Sequence, residues 1–245
     1  MADRPILFSA PMVRALIAGT KTQTRRGLPI AAGLQGKILD FVKVATDKRG
    51  RSVFEMKDKA GQHVYIPGGP HLQTPHFIPR IAVGDRLYVR EHWRVSQKWD
   101  ETAPRDLPRQ AMTVFYKAGG SIANQRYPGD WRPSDEPQAG KLPEWAGRFR
   151  QAMHMPKWAS RITLIVTDVR VERLQWISIA DAKAEGVFVP EAQFAQQGEV
   201  APRLAYAALW DQINGPGAWD ADPWVVAYSF RCIHQNIDEI EKEAA

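Results

Sequence analysis

The sequence predicts an α+β fold built on a barrel-like sheet, and three observations support this prediction. Segments 38–45, 86–93 and 161–174 alternate apolar and polar residues, as half-buried strands do. Only three short helices are indicated, and they do not alternate with the strands in the βαβ order of a parallel sheet. Segment 224–233 is almost continuously apolar, so we expect it to form a central strand.

The three helices are predicted from capping residues and apolar spacing. The first follows Ser9 and ends before Gly19, a residue suited to the left-handed conformation after a helix. The second begins at Ser178, which forms a pattern close to a capping box with Asp181. The third spans 202–213. The apolar residues placed on one face of this third helix are Leu204, Ala208 and Ile213. Further short strands are predicted at 5–8, 53–56, 63–66 and 113–117.

The chain is predicted to form a single domain over 1–235. Within it, the stretch from about 97 to 157 is an inserted excursion, rich in Pro and Trp and without a regular period over much of its length. We expect an ordered surface excursion or a flap there, with disorder as the alternative. Residues 236–245 are predicted to be a charged C-terminal tail.

Composition favours an intracellular protein with a polyanionic partner. The single cysteine, Cys232, excludes an internal disulfide and indicates a reducing compartment, so we expect a cytoplasmic location. No apolar run approaches the roughly 18 residues of a membrane span, and no signal peptide is recognised, so we expect no membrane partner. With 33 Lys and Arg against 27 Asp and Glu, the net charge of +6 suits RNA or DNA.

Several common reaction centres are excluded by their missing motifs. The six histidines form no i, i+4 pair and no H-x-H, and one cysteine cannot build a zinc site, so we expect no metal and no cofactor. The sequence contains no P-loop, no dinucleotide fingerprint and no G-x-S-x-G, so a Ser-His-Asp hydrolase is not supported.

The stretch 18–26 concentrates three threonine hydroxyls and three cations after the first helix. It is either a helix end with solvated cations or an anion-binding and catalytic strip. A threonine hydroxyl needs a neighbouring base, and Lys21 can serve if burial together with Arg25 and Arg26 lowers its pKa. The carboxylates spaced to assist are Asp181 and Glu185, which lie four residues apart.

Three segments carry a combination of motifs, which are A-G-T-K-T-Q-T-R at 18–25, G-D-R-L-Y-V-R-E at 84–91 and I-S-I-A-D-A-K-A-E-G at 177–186. Together they resemble the ASCH domain of the PUA-like superfamily. H-M-P-K-W-A-S-R at 154–161 and L-W-D-Q-I-N-G at 209–215 resemble the longer ASCH-related proteins of phages and prophages. The resemblance implies a PUA-like (ASCH) β-barrel with flanking short helices, long loop insertions and a cleft that accepts a nucleobase.

The resemblance also implies a set of site residues. Small bacterial N4-acetylcytidine amidohydrolases of this superfamily use a Lys, a Thr three residues later and a distant Glu, which fall on Lys21, Thr24 and Glu185. The expected activity is therefore metal-independent removal of an acyl group from a modified cytidine. The residues expected to bind substrate or phosphate are Thr22, Arg25, Arg26, Arg161 and Trp158.

Two other functions stay open at this point. The chain can be a non-catalytic module that binds RNA or modified nucleic acid through the same cleft, or a ribonuclease that uses Lys21 and the arginines near a 2′-hydroxyl. In each case the expected partner is a modified nucleoside or RNA, with DNA as a further option.

Overall fold

The computed structural model describes residues 2–28, 38, 40–64, 76–108, 113–122 and 143–240. Within the predicted excursion, residues 109–112 and 123–142 lie outside this described part. The chain divides into two compact units. The first unit comprises residues 20–85 and 166–231, and the second comprises residues 2–19, 86–165 and those from 232 onward.

The described part contains both strands and short helices. The strands are β1 (Asp3–Leu7), β2 (Gln23–Gly27), β3 (Asp40–Thr46), β4 (Ser52–Lys57), β5 (His76–Phe77), β6 (Arg86–Arg90), β7 (Trp93–Arg94), β8 (Val114–Tyr116), β9 (Ser121–Ile122), β10 (Thr163–Arg173) and β11 (Trp224–Ile233). The helices are α1 (Ala10–Ile17), α2 (Ile179–Ala184), α3 (Glu191–Gln197) and α4 (Ala201–Asn214).

The strands form three sheets, which makes the fold α+β as predicted. The largest sheet has the order β1-β6-β10-β11-β2, and the smaller ones have the orders β3-β4-β5 and β7-β8-β9. Over the described residues none of these sheets closes on itself, because β1 and β2 end the largest sheet without pairing with each other. The expected closed barrel is therefore not found in this part of the chain.

The first unit is organised around β11. Strand β11 runs antiparallel to β2, from Val225 opposite Gly27 to Ser229 opposite Gln23. Its neighbour on the other side is β10, so the apolar segment is an interior strand, as its sequence predicted. A core cluster forms against β11 from apolar side chains of the helical region. Its buried members are Leu174, Ile177, Ala182, Tyr206, Trp210 and Val225.

Two helices of the first unit, α2 and α4, confirm their predicted positions, with one difference in orientation, whereas α3 was not predicted. Helix α2 begins as expected, because the Ser178 hydroxyl accepts a hydrogen bond of 3.0 Å from the Asp181 amide. Helix α4 matches the predicted span, but its predicted apolar face points away from the core: Leu204 and Ile213 are 46% and 64% exposed. The larger rings of Tyr206 and Trp210 pack inward instead, since a ring removes more apolar surface from water.

In the second unit, β6 lies between two partners. Strand β1 pairs with it in parallel, and residues 163–165 of β10 pair with it antiparallel. The predicted strand at 86–93 ends early, because the chain leaves this sheet after Arg90 and starts the small β7-β8-β9 sheet at Trp93. Helix α1 buries Val13 and Leu16 and is followed by Gly19 in the predicted left-handed conformation, with φ of 73°.

No helix in the described part of the chain is long and apolar enough to cross a membrane. Asn236 and Ile237, which open the segment predicted as a tail, are buried at 8% and 0% exposure. The Asn236 amide donates hydrogen bonds to the carbonyl oxygens of Lys157, Trp158 and Ser160, at 3.0, 3.2 and 2.6 Å.

We predict that Asn236→Ala destabilises the protein by about 1–3 kcal/mol, because three main-chain carbonyls lose their donor. Urea unfolding followed by circular dichroism measures this change in the free energy of unfolding. The matched control is Asn214→Ala, which removes one hydrogen bond from an exposed asparagine to the Trp210 carbonyl. Equal stability of the two variants would contradict the structural role of Asn236.

Candidate functional site

The candidate site of the first unit is built on a contact between Lys21 and Glu185. The two residues form an isolated antiparallel bridge, supported by a 2.8 Å hydrogen bond from the Thr22 amide to the Ala184 carbonyl. The Lys21 amine donates to the Glu185 main-chain oxygen and to Oε2 of its carboxylate, both at 2.8 Å. With 1% and 3% exposure, both residues are buried. Two residues separated by 164 positions therefore meet in one buried pair.

Burial changes the acid–base behaviour of this amine. Loss of hydration lowers the pKa of Lys21 below its usual range, and the negative charge of Glu185 only partly opposes this effect. Arg25 and Arg26 lower the pKa of Lys21 further through charge repulsion. The three causes are those that the sequence suggested for a lysine able to act as a base.

Arg25 joins this pair to the carboxylates around it. Its Nη1 donates to Glu185 Oε1 at 3.1 Å, and its Nε and Nη2 donate to Glu172 Oε1 at 2.9 and 2.6 Å. Nη2 also lies 3.3 Å from Asp181 Oδ2. Burial alone would lower the pKa of Arg25, but Glu172 and Glu185 raise it. Arg25 is thus a permanently charged centre shared by three carboxylates.

The same arrangement keeps Asp181 ionised. Burial would raise the pKa of its carboxyl group, but a hydrogen bond with Gln23 and the charges of Arg170 and Arg25 hold that pKa below the usual range. Asp181 thus contributes a charged side chain to this network, and its main-chain amide donates a hydrogen bond to the Ser178 hydroxyl at the start of α2.

Thr24 and Arg26 lie on the other side of β2. Successive residues of a strand point to opposite faces, so Thr24 faces away from Gln23 and Arg25. The buried Thr24 hydroxyl accepts a hydrogen bond of 3.0 Å from Arg26 Nη1. Thr22 is exposed. The structure thus joins Lys21, Arg25 and Glu185 by direct contacts and joins Thr24 to Arg26.

Arg161 and Trp158 belong to the second unit, where they pack into its interior. Arg161 Nε and Nη2 donate to the two carboxylate oxygens of Glu91 at 2.9 and 3.0 Å, and its guanidinium lies 3.9 Å from the centroid of the Tyr116 ring. Burial raises the pKa of Glu91, while Arg161 opposes that rise. Trp158 is 9% exposed and packs edge-on against Trp93. Their expected roles in phosphate binding and base stacking stay predictions.

Sequence reasoning missed Tyr206, Glu172 and Gln23. Burial raises the pKa of Tyr206 well above its usual range, and so do the charge of Glu185 and a hydrogen bond to it. Gln23 could have been found, because Lys21, Gln23 and Arg25 are two residues apart and residues with this spacing in a strand share one face. Tyr206 could have been found only by assuming that the aromatic residues of α4, and not its aliphatic residues, pack into the core.

The arrangement suits proton transfer between an amine and a carboxylate. Over the residues that the structure describes, no group of three His, Cys, Asp or Glu is placed to hold a metal. The buried amine–carboxylate pair can accept and return a proton across one hydrogen bond. The guanidinium group of Arg26 supplies positive charge, which can stabilise a developing oxyanion.

Comparisons of this chain with protein-family models, with curated proteins and with solved structures find no match.

We predict that Arg25→Met destabilises the protein by about 3–5 kcal/mol at neutral pH, because it leaves Glu172, Asp181 and Glu185 without their shared cation. The loss becomes smaller toward about pH 4, because the stability that Arg25 provides by helping to lower the pKa of Asp181 is lost as the pH falls through that lowered pKa. Urea unfolding at both pH values measures it.

The control for this prediction is Arg14→Met, because Arg14 is an exposed cation on α1. It should change the free energy of unfolding by no more than about 0.5 kcal/mol. A loss for Arg25→Met that is as small as the loss for the control would show that the three carboxylates do not depend on Arg25.

Proposed function

We propose that the first unit is a metal-independent amidohydrolase that removes an acyl group from the N4 amine of a modified cytidine, on an ASCH-like member of the PUA-like folds. The observation that carries this proposal is the buried contact between Lys21 and Glu185, with a lowered pKa for the amine. A structural ion pair at the surface would not depress the pKa of its lysine in this way. The resemblance of segments 18–25 and 177–186 to ASCH sequences supplies the substrate class.

In the proposed reaction, water attacks the carbonyl carbon of the acyl group and gives up its proton to the neutral amine of Lys21. The proton moves across the 2.8 Å hydrogen bond to the Glu185 carboxylate, which delivers it to the N4 nitrogen as the C–N bond breaks. The products are a carboxylic acid and cytidine. Arg26, held by Thr24, stabilises the oxyanion, while Arg25 fixes the orientation of Glu185 through its 3.1 Å contact.

Water is preferred over Thr24 as the nucleophile, because the Thr24 hydroxyl oxygen accepts a hydrogen bond from the Arg26 cation. That bond makes the oxygen less nucleophilic. A role for Thr24 in positioning Arg26 agrees with these contacts. We therefore expect Thr24→Val to retain part of the activity that Lys21→Ala loses.

A second candidate function is a non-catalytic module that binds a modified nucleobase. The observation in its favour is that both carboxylate oxygens of Glu185 already accept hydrogen bonds, from Lys21 and from Arg25. A carboxylate whose two oxygens both accept hydrogen bonds can serve to hold α2 against β2 without taking part in proton transfer. Turnover measurements separate the two candidates.

We predict that the protein converts N4-acetylcytidine to cytidine and that Lys21→Ala and Glu185→Gln each reduce kcat by about 100-fold or more, because each removes a proton-transfer group. Chromatographic separation of the two nucleosides measures turnover. The matched control is Lys183→Ala, which removes an exposed cation from α2, two residues before Glu185.

Two results would contradict the amidohydrolase. One is retained turnover in both the Lys21→Ala and the Glu185→Gln variant. The other is no turnover in a parent protein that binds N4-acetylcytidine, and this result would support the binding module.

We further predict that kcat/KM rises with pH along a limb whose midpoint lies below the ordinary pKa of lysine. The amine of Lys21 must be neutral to accept a proton, and burial together with Arg25 and Arg26 lowers its pKa. Activity should therefore increase as the pH passes upward through this lowered value. A residual activity of Lys21→Ala that keeps the same ascending limb would assign that limb to another group.

A further inference from the structure

Aromatic packing holds Tyr206 of α4 in the interior of the first unit, where it is 3% exposed. The centroid of its ring lies 6.2 Å from that of Trp210, one turn further along the helix, and 6.3 Å from that of Trp219, at an interplanar angle of 81°. Trp219 is fixed in turn, because its amide donates to Asp211 Oδ1 at 2.6 Å and its carbonyl accepts from Gln175 Nε2 at 3.0 Å. The direction in which the Tyr206 ring points is therefore set by packing.

The hydroxyl at the end of this ring meets the polar network of the candidate site. It forms a hydrogen bond with the Glu185 carboxylate. Burial and the charge of Glu185 raise the pKa of Tyr206 well above its usual range, and the charges of Arg25 and Arg26 oppose this rise only in part. The hydroxyl therefore keeps its proton at neutral pH and well above it. It donates to the carboxylate and cannot serve as a base in the reaction.

Glu185 thus accepts hydrogen bonds from three side chains. Lys21 donates to Oε2 at 2.8 Å, Arg25 donates to Oε1 at 3.1 Å, and Tyr206 is the third donor. The first two come from one segment of the chain, whereas Tyr206 comes from α4. The two oxygens of a carboxylate offer about four acceptor directions, so three fixed donors leave about one. That remaining direction is the one along which a leaving amine can be reached.

We propose that Tyr206 is a positioning residue of the hydrolase, whose hydroxyl holds the Glu185 carboxylate in the orientation that delivers a proton to the leaving amine. This inference rests on the proposed function and adds to it a buried residue that transfers no proton itself. Lys21 gains and loses a proton in the proposed reaction, so its own bond to Glu185 changes during turnover. The bond from Tyr206 involves no transferred proton, so it holds the carboxylate at every stage.

The test is Tyr206→Phe, which keeps the ring between Trp210 and Trp219 and removes only the hydroxyl. We expect kcat for N4-acetylcytidine to fall about 10-fold, because the carboxylate is less well oriented for proton transfer. KM should stay within about 2-fold of the parent value, since a hydroxyl buried behind Glu185 does not bind substrate. Circular dichroism verifies that the variant is folded.

The matched control is Tyr116→Phe in the second unit. It removes another buried hydroxyl, which donates to the Ala159 carbonyl at 2.7 Å. A loss of kcat that came only from reduced stability would appear in both variants. We expect Tyr116→Phe to keep the kcat of the parent.

A second measurement tests the contact without relying on turnover. Tyr206→Phe, Glu185→Gln and the double variant form a cycle that urea unfolding measures. The stability lost through Tyr206→Phe should be about 2-fold smaller in the Glu185→Gln background, because a hydrogen bond to a charged acceptor is roughly twice as strong as one to a neutral acceptor.

Three results would overturn the inference: an unchanged kcat in Tyr206→Phe, a KM that rises as much as kcat falls, or equal losses of stability through this change in both backgrounds. Failure of the proposed function gives a different result, because the parent protein itself then shows no turnover. In that case the stability cycle alone decides whether Tyr206 holds Glu185.

Discussion

The structure of the first unit depends on the burial of charged groups that must be paired. Removing an amine and a carboxylate from water is costly, and Lys21 and Glu185 offset that cost by hydrogen bonding to each other. Arg25 extends the pairing to Glu172 and Asp181, so strands β2 and β10 and helix α2 are joined through one guanidinium group. This requirement places a polar network next to the ring of Tyr206 on α4.

Strand alternation divides the polar residues of segment 18–26 between two environments. Gln23 and Arg25 point to the carboxylates, whereas Thr24 and Arg26 form their own pair on the other face. A reaction at this site would therefore use groups from both sides of one strand. The second unit repeats the pairing principle with Arg161 and Glu91, whose two hydrogen bonds occupy the guanidinium group that was expected to bind phosphate.

The arginines of the chain accordingly fall into two groups with different physical consequences. Arg25 and Arg161 are neutralised by carboxylates in direct contact, and they stabilise the interior. Arg94 and Arg150 instead donate to main-chain carbonyls, and the charge of Asp100 acts on both of them from nearby. The net charge of +6 does not distinguish these groups, because it counts each arginine equally.

The sequence by itself determined the properties that depend on neighbours along the chain. Alternation predicted β10, a continuous apolar run predicted β11, the Ser178 cap predicted α2, and Gly19 predicted the end of α1, since each depends on local geometry. The resemblance of segments 18–25 and 177–186 to ASCH sequences also pointed to Lys21 and Glu185. Tertiary structure decided which groups are in contact. Arg161 pairs with Glu91, and Tyr206 of α4 packs inward whereas Leu204 is exposed. Residues 145–150 lie beside β7. These outcomes depend on competition for burial between distant segments, and no local pattern records that competition.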